Sequence, residues 1–514
     1  TEPLFTIDTT VNEDKNAFKL ASMISDNMVL QRNAVNCIWG SCMADGGVAV
    51  IINNKTFYGN AVDKQFKIYT APMESGGPYI LTVYDSCSKY TIENVMIGEV
   101  ILFSGQSNMQ WTMKDTAHYG KQYLKLGTYL PTKSLDPDTY ESYLGNDNIR
   151  NKYRLLAANE IAANNNIRFC NLFSNIESDL QIGGNITPQK DIICEWTVAD
   201  TENINKASMF AYYFSKILQL KTNLTIGVVM GAWGGTEVPS WTPRDIYDKY
   251  CSGNPYNNEN IYYYGNNDSN NKVNSISRCY NTFISPILNY KFKAVVWYQG
   301  EGQAQKYAES MVKLIEAWRA NMDNPNMGFL IVELPRFGEN DSYKSGTNSE
   351  KYKNENVYSG MLSLLYFNCR EQQKLIAKLT DNCVMSVSVN DGDYDDIHPS
   401  DKHVIARQSA DKFIEYFYKS KEILSGPVVS VSVKSSNGGI NFEISQDGET
   451  YYEVKAEYLS ENQIFVPIGN TDISEINYIR YGALNYPRVT RLDMSKYVSL
   501  FNSKGYPCDQ FLIQ

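Results

Sequence analysis

Five short apolar runs alternate with segments of helical periodicity between about residues 100 and 420. The segments read ASMFAYYFSKILQLK, YAESMVKLIEAWR, REQQKLIAKL and KHVIARQSADKFIEYFYK. The apolar runs lie at 100–103, 226–230, 294–298, 329–332 and 384–389. Because a strand covered on both faces is apolar along its whole length, this alternation predicts a parallel sheet with helices on both faces.

A different rhythm precedes and follows this region. Short alternating runs such as VAVIINNKTFYG and PYILTVYDSC are punctuated by Gly and Asn before residue 96, and a β pattern returns after Gly426. We predict a β-sandwich-like domain over 1–98, an α/β domain over 99–424 and a β-rich domain over 425–514. The polar stretches 112–165 and 245–275, rich in Tyr and Asn, are predicted to be insertions or long loops.

The length, composition and charge of the chain limit the kinds of protein and partner that it can represent. A chain of 514 residues exceeds one typical core, and 43% hydrophobic with 20% charged residues is typical of a folded globular protein. The formal net charge of −10 argues against nucleic acid or an anionic membrane as partner. No segment approaches the ~20 consecutive apolar residues of a membrane span.

Cysteines and glycosylation signals bear on the compartment. The ten cysteines include no CxxC pair, which argues against a zinc site; their even number suits disulfides, but free buried thiols fit nearly as well. The first residues lack the basic and apolar regions of a signal peptide and are compatible with a mature end after cleavage. Together with the sequons these features predict a secreted or lysosomal-type protein. The N-x-S/T sequons begin at Asn54, Asn185, Asn223, Asn267 and Asn340.

Polar clusters follow four of the apolar runs. In an open α/β sheet, ligands bind outside the carboxyl ends of the strands, so four clusters in equivalent places predict one active site. The clusters contain Ser107 in GQSNM, Gly234 and Gly235 in GAWGGTE, Gln299 and Glu301 in YQGEG, and Asp395 and His398 in DGDYDDIHPSDK.

A serine nucleophile needs a neutral base, and the chain has three histidines. His403 lies in a predicted helix, which favours a structural role. His118 lies in a predicted insertion near Asp115, where a substrate contact is the functional alternative.

His398 has a different setting. Asp395 precedes it by three residues, so a turn can bring the carboxylate to the imidazole and leave the other ring nitrogen for Ser107. Asp393 and Asp396 are alternative partners, and an acidic loop or cation site is the alternative interpretation of DYDDIHP.

The same clusters supply donors for a developing oxyanion. The backbone N–H of Ser107, those of the Gly234–Gly235 turn and the Gln299 amide fit this role, although each by itself also fits an ordinary turn or core position. No Gly-x-Ser-x-Gly elbow, HExxH, P-loop or Rossmann fingerprint occurs, and no metal or cofactor is predicted.

Four motifs in the order GEVILFSGQSNM, GAWGGT, VVWYQGE and DDIHPSDK resemble the sialate O-acetylesterase family, a branch of the SGNH hydrolases that acts on carbohydrate esters. DNMVLQR with GGPYILTVY resembles its N-terminal β-domain, and the closing segment from IRYGALNYP onward resembles its end. The resemblance implies an SGNH-type, flavodoxin-like parallel-sheet catalytic domain flanked by β-rich domains.

Residue by residue, the resemblance implies a catalytic triad and its neighbours. Ser107 is the expected nucleophile, His398 the base and Asp395 its orienting partner. The expected oxyanion donors are Ser107, Gly234, Gly235 and Gln299, and the candidate substrate contacts are Gln106, Asn108, Trp233 and Glu301.

The chain departs from the family pattern beside these positions. Gly302 and Gln303 follow Glu301 where the family has Ser-Asn, Glu237 and Pro239 are exchanged, and RYGALNYP lacks a Trp expected near Ala483. These departures bear on substrate contacts rather than on the triad.

The expected function is that of a serine esterase that removes O-acetyl groups from sugars, with 9-O-acetylated sialic acids as the first candidate substrate. Acetyl-xylan is an alternative substrate, and a non-catalytic carbohydrate-binding protein or an SGNH lipase or thioesterase are alternatives of other classes. Four tryptophans flank the clusters and either stack on sugars or pack in the core: Trp111, Trp233, Trp241 and Trp297.

Overall fold

The computed structural model divides the chain into two compact units, each described here by itself. The first comprises Thr1–Thr112, Ala162–Trp297 and Glu309–Phe329, and the second Met113–Ile161, Tyr298–Ala308 and Leu330–Gln514. The residues that the structure describes are 7–112, 163–172, 187–251, 275–301, 306–335, 365–388, 397–399, 402–419, 430–433, 440–445, 452–460, 463–466, 478–481 and 511–513.

The strands along the chain are short except for one. They are β1 Phe18–Leu20, β2 Val29–Gln31, β3 Cys37–Cys42, β4 Gly46–Ile52, β5 Lys55–Ala61, β6 Gln65–Tyr69, β7 Gly76–Tyr84, β8 Lys89–Gly105, β9 Asn164–Asn171, β10 Trp196–Ala199, β11 Ile226–Ala232, β12 Ala294–Tyr298, β13 Gly328–Val332, β14 Cys383–Ser386, β15 Ser430–Val433, β16 Ile440–Ser445, β17 Tyr452–Ser460, β18 Gln463–Val466, β19 Tyr478–Tyr481 and β20 Phe511–Ile513.

Helices separate the later strands, as the alternating pattern predicts. They are α1 Ser107–Gln110, α2 Asn203–Lys206, α3 Met209–Thr222, α4 Val238–Trp241, α5 Arg244–Cys251, α6 Tyr307–Asn321, α7 Leu365–Leu379 and α8 His403–Phe417. A π-helical turn, Tyr280–Ile284, continues into a 3-10 turn, Ser285–Ile287.

The first unit is built around a mixed sheet. In the order β10-β9-β11-β8-β12, β11 runs parallel to both β8 and β9, whereas β10 is antiparallel at the edge. The register places Ala232 opposite Gly105, so β11 and β8 end together. Helix α3 covers this sheet, and its Phe214 packs edge-on against Phe103 with the ring centroids 5.3 Å apart. The predicted α/β fold class is confirmed.

One strand connects the N-terminal β region with this sheet. The beginning of β8 pairs with β7 antiparallel and with β2 parallel, and its end pairs with β11. Burial changes along it in the same way, from mostly half-buried residues over 89–94 to continuous burial from Val95 to Gly105. The half-exposed and fully covered parts of the strand therefore match its amphipathic and apolar sequence.

In the second unit, β13 and β14 are neighbours, and the backbone N–H of Glu333 donates to the carbonyl of Ser386 at 3.1 Å. The Ser388 N–H donates to the buried Glu333 carboxylate at 2.6 Å, which fixes the chain beyond β14. The described C-terminal strands form a mixed sheet in the order β15-β18-β17-β16-β19-β20. This arrangement agrees with the β pattern after Gly426.

Several sequence predictions fall partly on residues that the structure does not describe. Most of the stretches 112–165 and 245–275 lies outside the described residues, and the domain boundaries stay predictions. None of the described helices has the length and apolar character that crossing a membrane requires.

The eight cysteines whose side chains are described are free thiols, all buried except Cys87: Cys37, Cys42, Cys87, Cys170, Cys194, Cys279, Cys369 and Cys383.

Candidate active site

The first group of predicted site residues lies where β8 ends. Gly105 has φ +136, a conformation that favours glycine, and α1 begins two residues later at Ser107. The carbonyl of Ser107 accepts the N–H of Trp111 at 2.9 Å, so the serine is held in one turn of helix at the carboxyl edge of the sheet. Ser107 is half-buried, whereas Gln106 and Asn108 beside it are buried.

The glycine turn after β11 lies against this serine. Trp233 donates its N–H to the carbonyl of Gly105 at 3.0 Å and so extends the pairing of β11 with β8 by one residue. A Cβ added to Gly234 would lie 3.2 Å from Cβ of Ser107, so a larger residue there would displace its neighbours by a few tenths of an ångström. Gly235 has φ +71, and a Cβ there would have nothing within 4 Å. The structure therefore brings Gly234 and Ser107 together, and the catalytic roles assigned to Ser107, Gly234 and Gly235 stay predictions.

A glutamine that the sequence analysis missed bonds to this turn. The N–H of Gly234 donates to Oε1 of Gln110, the last residue of α1, at 2.6 Å. Gln110 directly follows the GQSNM motif, but nothing in the sequence indicated a partner 124 positions away.

Further contacts fix the turn from its other side. The Thr236 hydroxyl donates to the carbonyl of Trp233 at 2.6 Å and accepts the indole N–H of Trp241 at 2.9 Å. Trp241 and Trp297 are fully buried and pack edge to face, with the ring centroids 5.8 Å apart. Their role is core packing, whereas Trp111 and Trp233 are half-buried.

Glu237 follows this turn directly and is half-buried. Burial raises the pKa of its carboxyl above the ordinary value, because removal from water disfavours the charged form. The exchange of Glu237 and Pro239 relative to the family pattern thus places a partly desolvated carboxyl group one residue beyond Thr236.

The second group lies in the second unit and begins with Gln299, which is buried. Its backbone carbonyl accepts the hydroxyl of Tyr307 at 2.9 Å and the side-chain amide of Gln373 at 3.1 Å. Gly300 has φ +140, and a Cβ there would lie 2.7 Å from Sγ of Cys369. The Cys369 thiol in turn donates to the carbonyl of Gly300 at 3.2 Å. This turn is held on several sides by buried groups.

Two buried charged residues lie close to this turn. Glu301 and Arg370 both act on the Cys369 thiol: burial raises its pKa far above the ordinary range, the Glu301 charge raises it further and the Arg370 charge opposes this. The guanidinium of Arg370 donates to the backbone carbonyls of Leu334 at 2.8 Å and Pro335 at 3.2 Å. Glu301 is thus buried in a polar, tightly bonded environment.

His398 is half-buried and precedes the buried Pro399. Four residues later, the buried Lys402 places its Nζ 5.6 Å from the centre of the Tyr298 ring, a cation–π contact. His403 begins α8, as the helical pattern predicts. The other residues proposed around His398 and in the insertion lie outside the described residues: His118, Asp393, Asp395 and Asp396.

No group of three or more His, Cys, Asp or Glu side chains in the described ranges is arranged to hold a metal ion.

Two predicted sequons have exposed asparagines in loops: Asn54 lies between β4 and β5, and Asn223 ends α3. Asn185, Asn267 and Asn340 lie outside the described residues.

Comparison with known proteins places the chain among carbohydrate esterases. Residues 187–363 match the family model described as "Carbohydrate esterase, sialic acid-specific acetylesterase". The chain is 24% identical over 477 residues to human sialate O-acetylesterase, covering 87% of this chain and 79% of the relative. The mouse sialate O-acetylesterase is 23% identical, with 84% of this chain and 79% of the relative covered.

The chain is thus similar to the sialate O-acetylesterase family. It is therefore a carboxylic ester hydrolase, and at the level of the family its function is that of a carbohydrate acetylesterase. The crystal structure of a carbohydrate acetylesterase from Xanthomonas citri has the same fold, with a TM-score of 0.70 at 21% identity and coverage of 97% of this chain and 99% of that one.

Proposed function

We propose that this protein removes O-acetyl groups from sugars by a Ser-His-Asp mechanism with an acyl-enzyme intermediate. The observation that carries the proposal is the close approach of Gly234 to Ser107, where a Cβ at 234 would lie 3.2 Å from the serine Cβ. Close backbone approach to a half-buried serine at a sheet edge is what an acyl-transfer site requires.

In the proposed first step, His398 accepts the hydroxyl proton of Ser107, whose oxygen attacks the acetyl carbonyl. The tetrahedral intermediate collapses as His398 donates that proton to the departing sugar oxygen, which leaves acetyl-serine. Water then attacks the acetyl group with His398 again as base, the bond to the Ser107 oxygen breaks as His398 returns the proton to that oxygen, and acetate is released. Asp395 would orient the imidazole and stabilise its charged form.

The proposed oxyanion donors are the N–H of Ser107, the Gly234–Gly235 turn and the side chain of Gln299. Preorganised donors of this kind are each worth on the order of 10²–10³ in rate. The fixed backbone of Gln299, bonded to Tyr307 and Gln373, supports a role that depends on accurate placement.

For the substrate we propose 9-O-acetylated sialic acids. The descriptions of the matching family model and of the human and mouse relatives support an O-acetylated sialic acid as the substrate class. Proposed substrate contacts are Gln106, Asn108, Trp233 and Glu301; of these Trp233 is half-buried and the other three are buried. A secreted or lysosomal location is part of the proposal, and the exposed sequon positions Asn54 and Asn223 support it.

Ser107→Ala tests the mechanism directly. Hydrolysis of 4-nitrophenyl acetate should fall to near background with circular dichroism unchanged, because the acyl acceptor is removed. Ser86→Ala, at an exposed serine between β7 and β8, is the matched control and should keep full activity. Retained hydrolysis by Ser107→Ala would contradict the assignment of the nucleophile.

A panel of substrates tests specificity with the wild-type protein. The proposal predicts the highest kcat/KM on 9-O-acetylated sialic acid, with lower values on acetyl-xylan and on acyl thioesters. A higher kcat/KM on acetyl-xylan or on a thioester would contradict the proposed substrate and assign the enzyme to that other substrate class. Binding of the acetylated sugar without release of acetate would indicate a non-catalytic carbohydrate-binding protein.

A further inference from the structure

Gln110 connects the helical turn of Ser107 with the glycine turn after β11. It is the last residue of α1, its own N–H donates to the carbonyl of Gln106 at 2.9 Å, and its side chain is half-buried. The side-chain oxygen accepts the N–H of Gly234 at 2.6 Å, a short hydrogen bond for an N–H donor. Gln110 thereby links two segments that the sequence separates widely.

The position of Gly234 determines how close the glycine turn comes to the nucleophile. A Cβ built on this residue would lie 3.2 Å from Cβ of Ser107, 3.6 Å from its Cα and 3.2 Å from Oε1 of Gln110. The same glutamine oxygen therefore borders Gly234 on the side that faces Ser107. A shift of the turn by a fraction of an ångström would alter the approach of its backbone to the reacting serine.

A backbone N–H carries one hydrogen, so a donor engaged in a short bond to Gln110 does not serve a substrate oxygen at the same time. Resting on the proposed function, we infer that Gln110 is a positioning residue of this enzyme: its side-chain oxygen binds the Gly234 N–H and so holds Gly234 against Ser107. This revises the oxyanion role proposed for the Gly234–Gly235 turn, because the Gly234 N–H is engaged by Gln110 and does not serve the oxyanion. The contribution of Gly234 to catalysis is then its close approach and lack of a side chain.

The opposite arrangement makes a different prediction. If the Gln110 oxygen only occupied the place of a substrate oxygen on Gly234, the substrate would displace it, and removing it would relieve competition. Loss of the Gln110 acceptor would then leave kcat unchanged or raise kcat/KM. The two roles thus differ in the sign of one measurement.

The experiment compares Gln110→Met with Gln110→Glu in hydrolysis of 4-nitrophenyl acetate. Methionine keeps the length of the side chain without the amide oxygen, and kcat should fall tenfold to a hundredfold with KM within about twofold, because misplacement by an ångström costs up to about 10² in rate. Glutamate keeps an acceptor for the Gly234 N–H at a half-exposed, solvent-screened position, and kcat should return to within about threefold of the wild type.

Gln65→Met is the matched control, since Gln65 lies exposed on β6, and its kinetics should equal those of the wild type. Gln110→Ala provides a second removal of the acceptor if Gln110→Met does not fold. An unchanged or raised kcat in the removal variants, or a Gln110→Glu variant as slow as Gln110→Met, would overturn the inference.

Ser107→Ala in the same assay separates this inference from the proposed function. Loss of activity in Ser107→Ala together with full activity in Gln110→Met would leave the nucleophile in place and reject the role of Gln110. Full activity in Ser107→Ala would reject the proposed mechanism itself, whatever the kinetics of the Gln110 variants.

Discussion

The two glycine turns that carry predicted oxyanion groups are held in different ways, although each is fastened by a glutamine side chain. At the first turn, Gln110 accepts the N–H of Gly234 from a half-buried position. At the second, Gln373 is fully buried and donates to the carbonyl of Gln299. The first turn is thus bound by a half-buried glutamine and the second by a fully buried one.

The second turn is bonded by a network of buried side chains. The amide nitrogen of Gln373 donates to Val332 at 3.1 Å as well as to Gln299, and its oxygen accepts the N–H of Leu334 at 2.9 Å. Tyr307 adds a further bond to Gln299 at 2.9 Å. Buried polar groups are costly to leave unpaired, so this network makes the second turn the more rigid of the two. In the first turn, the half-buried Gln110 binds the Gly234 N–H, while Thr236 and Trp241 fix the other side.

The largest expected effect comes from Gly300 in the second turn, and Gly235 in the first turn provides the contrast. Gly300→Ala should lower the free energy of unfolding by about 3 kcal/mol, because φ +140 is strained for alanine and its Cβ would meet Sγ of Cys369 at 2.7 Å. Gly235→Ala should cost only about 1 kcal/mol, because φ +71 is strained but the surroundings are open. Urea unfolding measures both.

Cys369→Ala provides the control for the clash. In that background Gly300→Ala should cost less, since the sulfur is gone and the backbone strain remains. Equal losses at Gly300 and Gly235 would remove the proposed difference in rigidity between the turns.

Gln373→Met should give the next largest effect. It removes three buried hydrogen bonds, to Gln299, Val332 and Leu334, and should lower the free energy of unfolding by about 2 kcal/mol or more. Gln110→Met, which removes one half-buried bond, should cost less than about 1 kcal/mol. If thermal unfolding showed the two variants to be equally destabilised, the proposed difference between the half-buried Gln110 and the fully buried Gln373 would be wrong.

Glu237→Gln should have the smallest effect and should depend on pH. The carboxyl pKa in the folded protein is raised above 4.5, so the folded state binds more protons than the unfolded chain above that pH, and stability falls as pH rises through this range. The amide removes this slope. The melting temperature of Glu237→Gln should exceed that of the wild type slightly at pH 7 and approach it near pH 4.

The corresponding Glu74→Gln variant, at an exposed glutamate before β7, should show neither change and serves as the control. A Glu237→Gln variant with the same pH dependence as the wild type would show that this carboxyl is fully hydrated in solution.

The apolar runs predicted the strands well where burial is continuous. The run 294–298 coincides with β12, and the helical segment that begins at residue 307 coincides with the start of α6. The strand β9, Asn164–Asn171, was not predicted, because its first three residues are asparagines at the end of a stretch interpreted as an insertion. Its place between β10 and β11 comes from pairing with both neighbours, which outweighs the weak strand preference of asparagine.

For the candidate site, the sequence predicted the positions of the glycine turns but not the side chains that bind them. GQSNM and GAWGGT indicated that Ser107 and Gly234 follow neighbouring strands, and the structure brings these two together. The same reasoning left Trp241 and Trp297 open between sugar contact and core, because an indole suits both; their complete burial decides for the core.

The sequence by itself determined the α/β architecture, the place of the polar clusters after the strands and the resemblance to an esterase family, because local periodicity and short motifs are properties of contiguous residues. The tertiary structure decided the partners of the glycine turns. Gln110 and Gln373 lie 124 and 74 positions from the backbone groups they bind. No local pattern specifies such bonds, since they form only when separate strands and helices have packed into one unit.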